Sequence, residues 1–349
     1  MKYGSVCSGI EAASCAWHPL GWRSEFLSEI EPFPSAVLAH YYPTVPNRGD
    51  MTKFKEWPDA TLDLLVGGTP CQSFSVAGLR KGLADPRGNL MLTYLAIAER
   101  YAPRWLVWEN VPGVLSSNGG RDFGTLLGGL AELGYGFAYR VLDAQYIRVE
   151  SHSRAVPQRR RRVFVVGYLG DWRRAAAVLF ERESLLGHPA PRREAGKGIA
   201  PTLSARTKGG GGLGTDFECD GGLVAHSLRG EGFDASEDGT GRGTPLVPVH
   251  AFDARQSDVL QYGPVAGPLD TGLPGATAMV GAAVRRLTPM ECERLQGFPD
   301  LYTNIEFRGK PAADGPRYKA LGNSMAVNVM RWIGDRIQMV ENLTNKDAA

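Results

Sequence analysis

Short strand-like runs alternate with stretches of helical periodicity through the first half of the chain. Residues 2–6, 24–28, 62–66, 105–108 and 163–168 read as strands, and residues 11–17, 34–42, 89–101 and 124–133 read as helices. In the third helix Leu90, Tyr94, Leu95, Ile97 and Ala98 recur at helical spacing, and Pro103 stops it. This alternation predicts an α/β protein with a doubly wound, mostly parallel sheet. Gly134-Tyr135-Gly136 then opens a more strand-rich stretch over 137–142.

Near residue 181 the pattern changes. The span to about 284 is rich in Gly and Pro, includes Gly209-Gly210-Gly211-Gly212, and loses amphipathic periodicity. Thr202-Leu203-Ser204-Ala205 and Ala251-Phe252-Asp253-Ala254-Arg255 interrupt it with strand-like or turn-like pieces, so a small, loop-rich domain is expected. From Arg286 a regular pattern returns and ends in a helix over about 324–342. The expected division is a first domain at 1–180, completed by 318–345, and a second at 181–317.

The 349 residues suffice for one large and one smaller domain. With 43% hydrophobic and 22% charged residues, the composition is that of a soluble globular protein. No apolar run approaches a membrane span. The strand-like opening predicts no signal peptide. The five cysteines form no Cys-x-x-Cys pair and their number is odd, which predicts a reducing cytoplasm and no structural zinc. A net charge of +2 is neutral as to partners. Its distribution is not: Arg154, Arg159, Arg160, Arg161 and Arg162 cluster, which suggests a phosphate-facing surface.

Two segments carry candidate chemistry. Pro70-Cys71-Gln72 follows a strand directly, which places one thiol at the carboxyl end of a sheet strand, where open α/β sheets keep their chemistry. Glu109 closes the strand that begins at Trp105, and a carboxyl there is costly to desolvate unless paired or used. Together they suggest a nucleophile and a proton donor. The first strand leads into Ser8-Gly9-Ile10-Glu11 with no Gly-x-Gly-x-x-Gly and no Walker lysine, which disfavours NAD or ATP and suits a nucleoside cofactor without phosphates. Glu29 closes the second strand, where an acid binds ribose hydroxyls. Cys15, Cys219 and Cys292 read as core thiols.

These segments stand in a longer series. Tyr3 to Glu11, Pro70-Cys71-Gln72, Glu109-Asn110-Val111, Gln158 to Val163, Arg286 to Pro299 and Tyr318 to Met325 occur in that order. In this the chain resembles the DNA (cytosine-5)-methyltransferases, over nearly its whole length apart from roughly 175–284. Its Gly-rich region looks like that of phage or prophage members.

The resemblance implies a Rossmann-like methyltransferase fold, S-adenosylmethionine as cofactor and double-stranded DNA as partner, in a cytoplasmic monomer with no obligatory protein partner. It gives Cys71 as the nucleophile, Glu109 as the acid, and Arg160 and Arg162 as contacts to the target base and its backbone. Cys7, Ser8, Gly9, Ile10, Glu29, Ile30, Asp50, Met51, Pro70, Leu90, Asn323 and Ser324 fall on the cofactor side. The second domain becomes the target-recognition domain. Cys7 and Glu11 depart from the family, which usually has Phe and a second glycine there. Two other readings stay open: a tRNA-directed relative and a non-catalytic nucleic-acid-binding homologue. A shorter recognition region and a Cys-Phe-Thr signature would mark the first, and neither is present. The intact Cys71, Glu109, Arg160 and Arg162 argue against the second.

Overall fold

The computed structural model describes residues 1–70, 90–153, 155–181 and 287–347, with four short strands between 246 and 286. Six strands form the central sheet: β1 (Lys2–Val6), β2 (Arg23–Phe26), β3 (Leu64–Gly67), β4 (Trp105–Asn110), β5 (Tyr135–Asp143) and β6 (Arg161–Leu169), in the order β2-β1-β3-β4-β6-β5. β1 pairs in parallel with β2 and β3, and β3 with β4, whereas β6 runs antiparallel to both β4 and β5. The expected mostly parallel α/β sheet is the one observed, and the strand-rich stretch after Gly134 is its antiparallel edge.

Side chains along each inner strand alternate between two cores, as a two-residue repeat requires. Leu64, Val66, Trp105 and Val107 enter one; Leu65, Leu106 and Trp108 enter the other. The first core is filled by the helices Ala12–Trp17, Pro32–Tyr41, Trp172–Leu179 and Val327–Asp347. The second is filled mainly by Leu90–Tyr101 and Arg121–Glu132. Both faces of the inner strands are dry, so their sequences read as continuous apolar runs.

The chain leaves β1 toward β2 on one side and returns to β3 on the other. The order therefore reverses between β1 and β3, and a crevice opens beyond their carboxyl ends. Cys7 to Gly9 follow β1 and Gly68 to Pro70 follow β3, so both expected loops meet there. Because β6 is antiparallel, its first residues lie beside the last residues of β4: Asn110 pairs with Val163 and Glu109 with Phe164.

Residues 287–317, grouped by sequence with the second domain, bury Leu287, Cys292, Leu295, Phe298, Tyr302, Ile305 and Ala312 in the core that also holds Ile10 and Trp17. Cys292 is a core thiol, as expected. The Tyr302 hydroxyl donates to the Ile10 carbonyl at 3.0 Å. Between 246 and 286, Leu246–Val249 pairs antiparallel with Ala283–Arg286 and Phe252–Asp253 with Leu260–Gln261. Thr202 to Ala205 lie outside the described residues.

The carboxyl-terminal helix closes the first core by polar as well as apolar contacts. Trp17 Nε1 donates to the Met330 carbonyl at 2.7 Å. Trp105 Nε1 donates to Glu341 Oε1 at 2.8 Å, while Arg104 meets Glu341 Oε2 at 3.0 Å. Glu341→Ala should leave the buried Trp105 indole without an acceptor and destabilise the fold by about 1–3 kcal/mol. Urea unfolding followed by tryptophan fluorescence checks this, with Glu341→Gln, whose amide oxygen still accepts from the indole, expected to recover most of the loss.

Candidate active site

Glu109 is the second-last residue of β4 and is 9% exposed. Arg162 Nε meets its Oε1 at 3.0 Å. Arg162 is two positions before Phe164, the cross-strand partner of Glu109, so the arginine stands on the same face of the sheet. Burial pushes the Glu109 carboxyl above the usual carboxylate range, and Arg162, then Arg160, pull against it. An acid held between these influences is suited to keep or give up a proton near its partner.

Arg160 is buried, and burial, then the charge of Arg162, lower its pKa to about 9. Its guanidinium donates to the carbonyls of Gly322 and Ser324. It thus ties the start of β6 to the turn after the helix Asp314–Asn323. Arg159 and Arg161 are exposed, so the four arginines alternate as an extended segment requires. Arg162 faces the carboxyl, a pairing the sequence did not disclose. Arg160 bonds to the backbone of the closing turn, likewise undisclosed by the sequence.

The nucleophile candidate Cys71 lies outside the described residues, but its approach is defined. Asn110 Nδ2 donates to the Thr69 carbonyl at 2.9 Å, and Trp108 Nε1 donates to Thr69 Oγ1 at 3.0 Å. Two side chains from the end of β4 therefore hold the residue two before the thiol. Gly68 sits closer still: a Cβ there would lie 3.1 Å from Glu109 Oε2 and 3.0 Å from Met325 Cε. Thr69, Trp108, Asn110, Gly68 and Met325 lie in or beside segments marked from sequence but had no individual role there. The signal available was positional, a glycine directly before Thr-Pro-Cys and an Asn directly after the strand-end acid.

Beyond β1 and β3 a cleft is lined by Ser5 to Gly9, Glu11, Val66, Gly68, Glu109, Asn323, Ser324 and Met325, among others. Of the cofactor-side candidates Cys7, Ser8, Gly9, Asn323 and Ser324 thus share one opening with Glu109, whereas Ile10, Glu29, Ile30, Asp50, Met51, Pro70 and Leu90 are not part of its lining. Gly9 adopts φ 54°, which glycine takes without strain. Its N–H donates to Glu29 Oε2 at 2.8 Å, and Glu29 Oε1 accepts the N–H groups of Ile30 and Glu31. A carboxylate offers about four acceptor sites, so Glu29 keeps room for one more donor. Asp50 caps the short 3-10 helix Met51–Glu56 with Oδ1, which accepts from Thr52 N and Oγ1. Ile30 is 68% exposed, whereas Met51 is buried with its sulfur 3.4 Å from the Cys7 thiol. Burial, then Glu29, pushes that thiol up to about 12. Pro70 is exposed, Leu90 half-buried at its helix start, and Asn323 exposed at the cleft.

The chain matches the C-5 cytosine-specific DNA methylase family over residues 1–194 and 254–339, and belongs to it. It is 39% identical, over 96% of its length, to a protein of Escherichia phage P1 named DNA N-6-adenine-methyltransferase, and spans 61% of that relative. It is 29% identical to the type II methyltransferase M2.BsuMI of Bacillus subtilis, covering 97% of this chain and 75% of that one. In fold it is similar to a DNMT2 variant of Spodoptera frugiperda (TM-score 0.56, 17% identity, 97% and 99% of the two chains). Dnmt2 of S. pombe is similar too (TM-score 0.55, 14% identity, 99% of each).

The Glu109–Arg162 pair has a testable pH signature. A carboxyl whose pKa is raised above its unfolded value favours the fold in its protonated form. Its contribution is complete below the unfolded value and declines as pH rises through the folded one. Arg162→Ala removes the nearer cation, so this decline should steepen and the variant's deficit should grow with pH. It should reach about 3–5 kcal/mol once the carboxylate is ionised. Urea titrations across a pH series read this. A deficit that does not change with pH would show that the two groups are not coupled.

Proposed function

We propose that this chain transfers a methyl group from S-adenosylmethionine to carbon 5 of cytosine in double-stranded DNA through a covalent adduct of Cys71. The observation that carries this reading is the convergence of a buried, arginine-paired carboxyl, the anchored approach to Pro70-Cys71 and the β1 loop on one cleft. The cleft and the loop residues bonded beside it suit the cofactor. Gly9 keeps the loop open, Glu29 has capacity for a hydroxyl, and Asp50 Oδ2 is unoccupied by hydrogen bonds among the described residues. When bound, the cofactor supplies an electrophilic methyl on a sulfonium.

The chain's own residues supply the rest. Carbon 5 of cytosine is a poor nucleophile. Addition of the Cys71 thiolate to carbon 6 turns the ring into an enamine, and carbon 5 gains nucleophilic character. Glu109 donates a proton at ring nitrogen 3, which neutralises the charge of the adduct. Arg162 fixes the carboxyl's direction and its acidity. After methylation a base removes the proton on carbon 5, and the thiolate leaves from carbon 6. Pro70 stiffens the backbone before the thiol, and Asn110 and Trp108 set where that segment starts. The target carbon lies within the duplex stack, so the nucleotide is flipped outward at a cost of a few kcal/mol. The Gly-rich span 181–284 is assigned to sequence choice, with basic residues on phosphates and other side chains on base edges.

The name of the phage P1 relative offers a second reading, transfer to the exocyclic N6 of adenine. That amine attacks a sulfonium methyl without covalent activation, so a strand-end thiol would have no task. DNA from a methylation-free host expressing the chain separates the two by nucleoside mass spectrometry. 5-Methylcytosine is expected, lost in Cys71→Ala and reduced about 10²–10⁴-fold in rate in Glu109→Gln. N6-methyladenine that survives Cys71→Ala would establish the adenine reading, and methylation of tRNA alone would move the substrate to RNA.

A further inference from the structure

The cleft contains a second buried carboxyl that the reaction above does not use. Glu11 is 1% exposed and lines the same cleft as Glu109. It stands where the family usually has glycine, and its own backbone is left-handed, with φ 63°. Its carboxyl is held in a cage of neutral donors. Ser5 Oγ on β1 donates to Oε2 at 2.9 Å, and the N–H and hydroxyl of Ser14 donate to Oε1 at 3.2 Å each. Tyr3 meets the Ser14 hydroxyl at 2.7 Å. The titratable groups around it are the phenols of Tyr3, Tyr42 and Tyr302 and the Cys15 thiol, whose acidities all register the Glu11 charge.

None of these neighbours is a cation. Glu109 has Arg162, but among the described residues no Lys, Arg or His forms an ion pair with Glu11. Burial without a counter-ion raises its carboxyl to about 7, with the serine hydrogen bonds opposing. A buried carboxylate with no partner is costly, and a cation entering the cleft relieves that cost.

We infer that Glu11 selects the charged methyl donor: its ionised carboxyl is the counter-charge for a sulfonium nucleoside in the cleft, favouring the donor over the uncharged thioether product. This rests on the reading of the cleft as the S-adenosylmethionine site. Binding of the donor draws Glu11 to its ionised form, and the proton passes to solvent. Loss of the sulfonium charge on transfer removes that attraction and favours exchange of product for fresh donor. Each unit by which the donor lowers the Glu11 pKa is a tenfold preference.

Calorimetric titration of the full chain with S-adenosylmethionine and with S-adenosylhomocysteine, in buffers of different ionisation enthalpy at about pH 6.5, counts the protons released. The wild type should release more protons with the sulfonium than with the thioether, and its preference for the sulfonium should rise as pH climbs through neutrality. Glu11→Gln, which keeps the hydrogen-bonding shape, should abolish the difference in proton release and reduce the preference about tenfold. Equal proton release with both ligands in the wild type overturns the inference and needs no variant. A folded Glu11→Gln protein with an unchanged preference also overturns it, leaving Glu11 a structural cap. Binding of neither nucleoside overturns the cofactor reading itself.

Discussion

A carboxyl buried at a strand end loses several kcal/mol of hydration, and Glu109 sits at such an end with 9% of its surface exposed. Much of the site answers that constraint. β6 runs antiparallel to β4, which brings Arg162 onto the same face within 3.0 Å. A parallel strand in that place would have carried its first residues to the opposite end of the sheet. Gly68 leaves space for the carboxyl where any side chain would press on it. Arg160, two residues before Arg162, fastens the turn at Gly322 to Ser324 over the same cleft. One antiparallel pairing thus sets the acid, its counter-ion and the closing turn together.

Packing extends the same logic to the far end of the chain. The helix Val327–Asp347 is pinned through Trp17 and Trp105, whose indole donors find acceptors on it. Asn328 donates to the carbonyls of Ala144 and Ile147, just ahead of the arginine segment. The segment that supplies Asn323 and Ser324 to the cleft is therefore held through the first core, on one face of the sheet. Tyr302 adds a tie from residues 287–317 to the Ile10 carbonyl in the cofactor-side loop. The cleft's shape depends on chain segments some three hundred residues apart in sequence, which suits a rigid site built on sheet ends.

The inner strands were legible because both faces are buried, so Leu64 to Val66 and Trp105 to Trp108 carry apolar side chains without interruption. Their ends were less legible: β4 extends to Asn110, since Glu109 and Asn110 still pair with β6 although neither is apolar. Alternation within Arg159 to Arg162 was readable from the two-residue repeat alone. What Arg160 holds was not, because its partners are backbone carbonyls some 160 residues away. Glu29 was read as a ribose acid, and its backbone partners Gly9, Ile30 and Glu31 carry no side-chain signature. Glu11 registered only as a departure from a glycine. Its burial among Ser5 and Ser14 required β1 and the following helix to be placed in space.

The central claim is that Cys71 forms a covalent bond to the target base. A duplex in which the target cytosines carry fluorine at carbon 5 tests it most directly, because fluorine cannot leave as a cation and the adduct cannot resolve. With S-adenosylmethionine present, the chain should form a DNA–protein complex that survives denaturation and maps by peptide mass spectrometry to Cys71. Methylation of ordinary DNA without any such complex, or a complex mapping to another residue, would contradict the account.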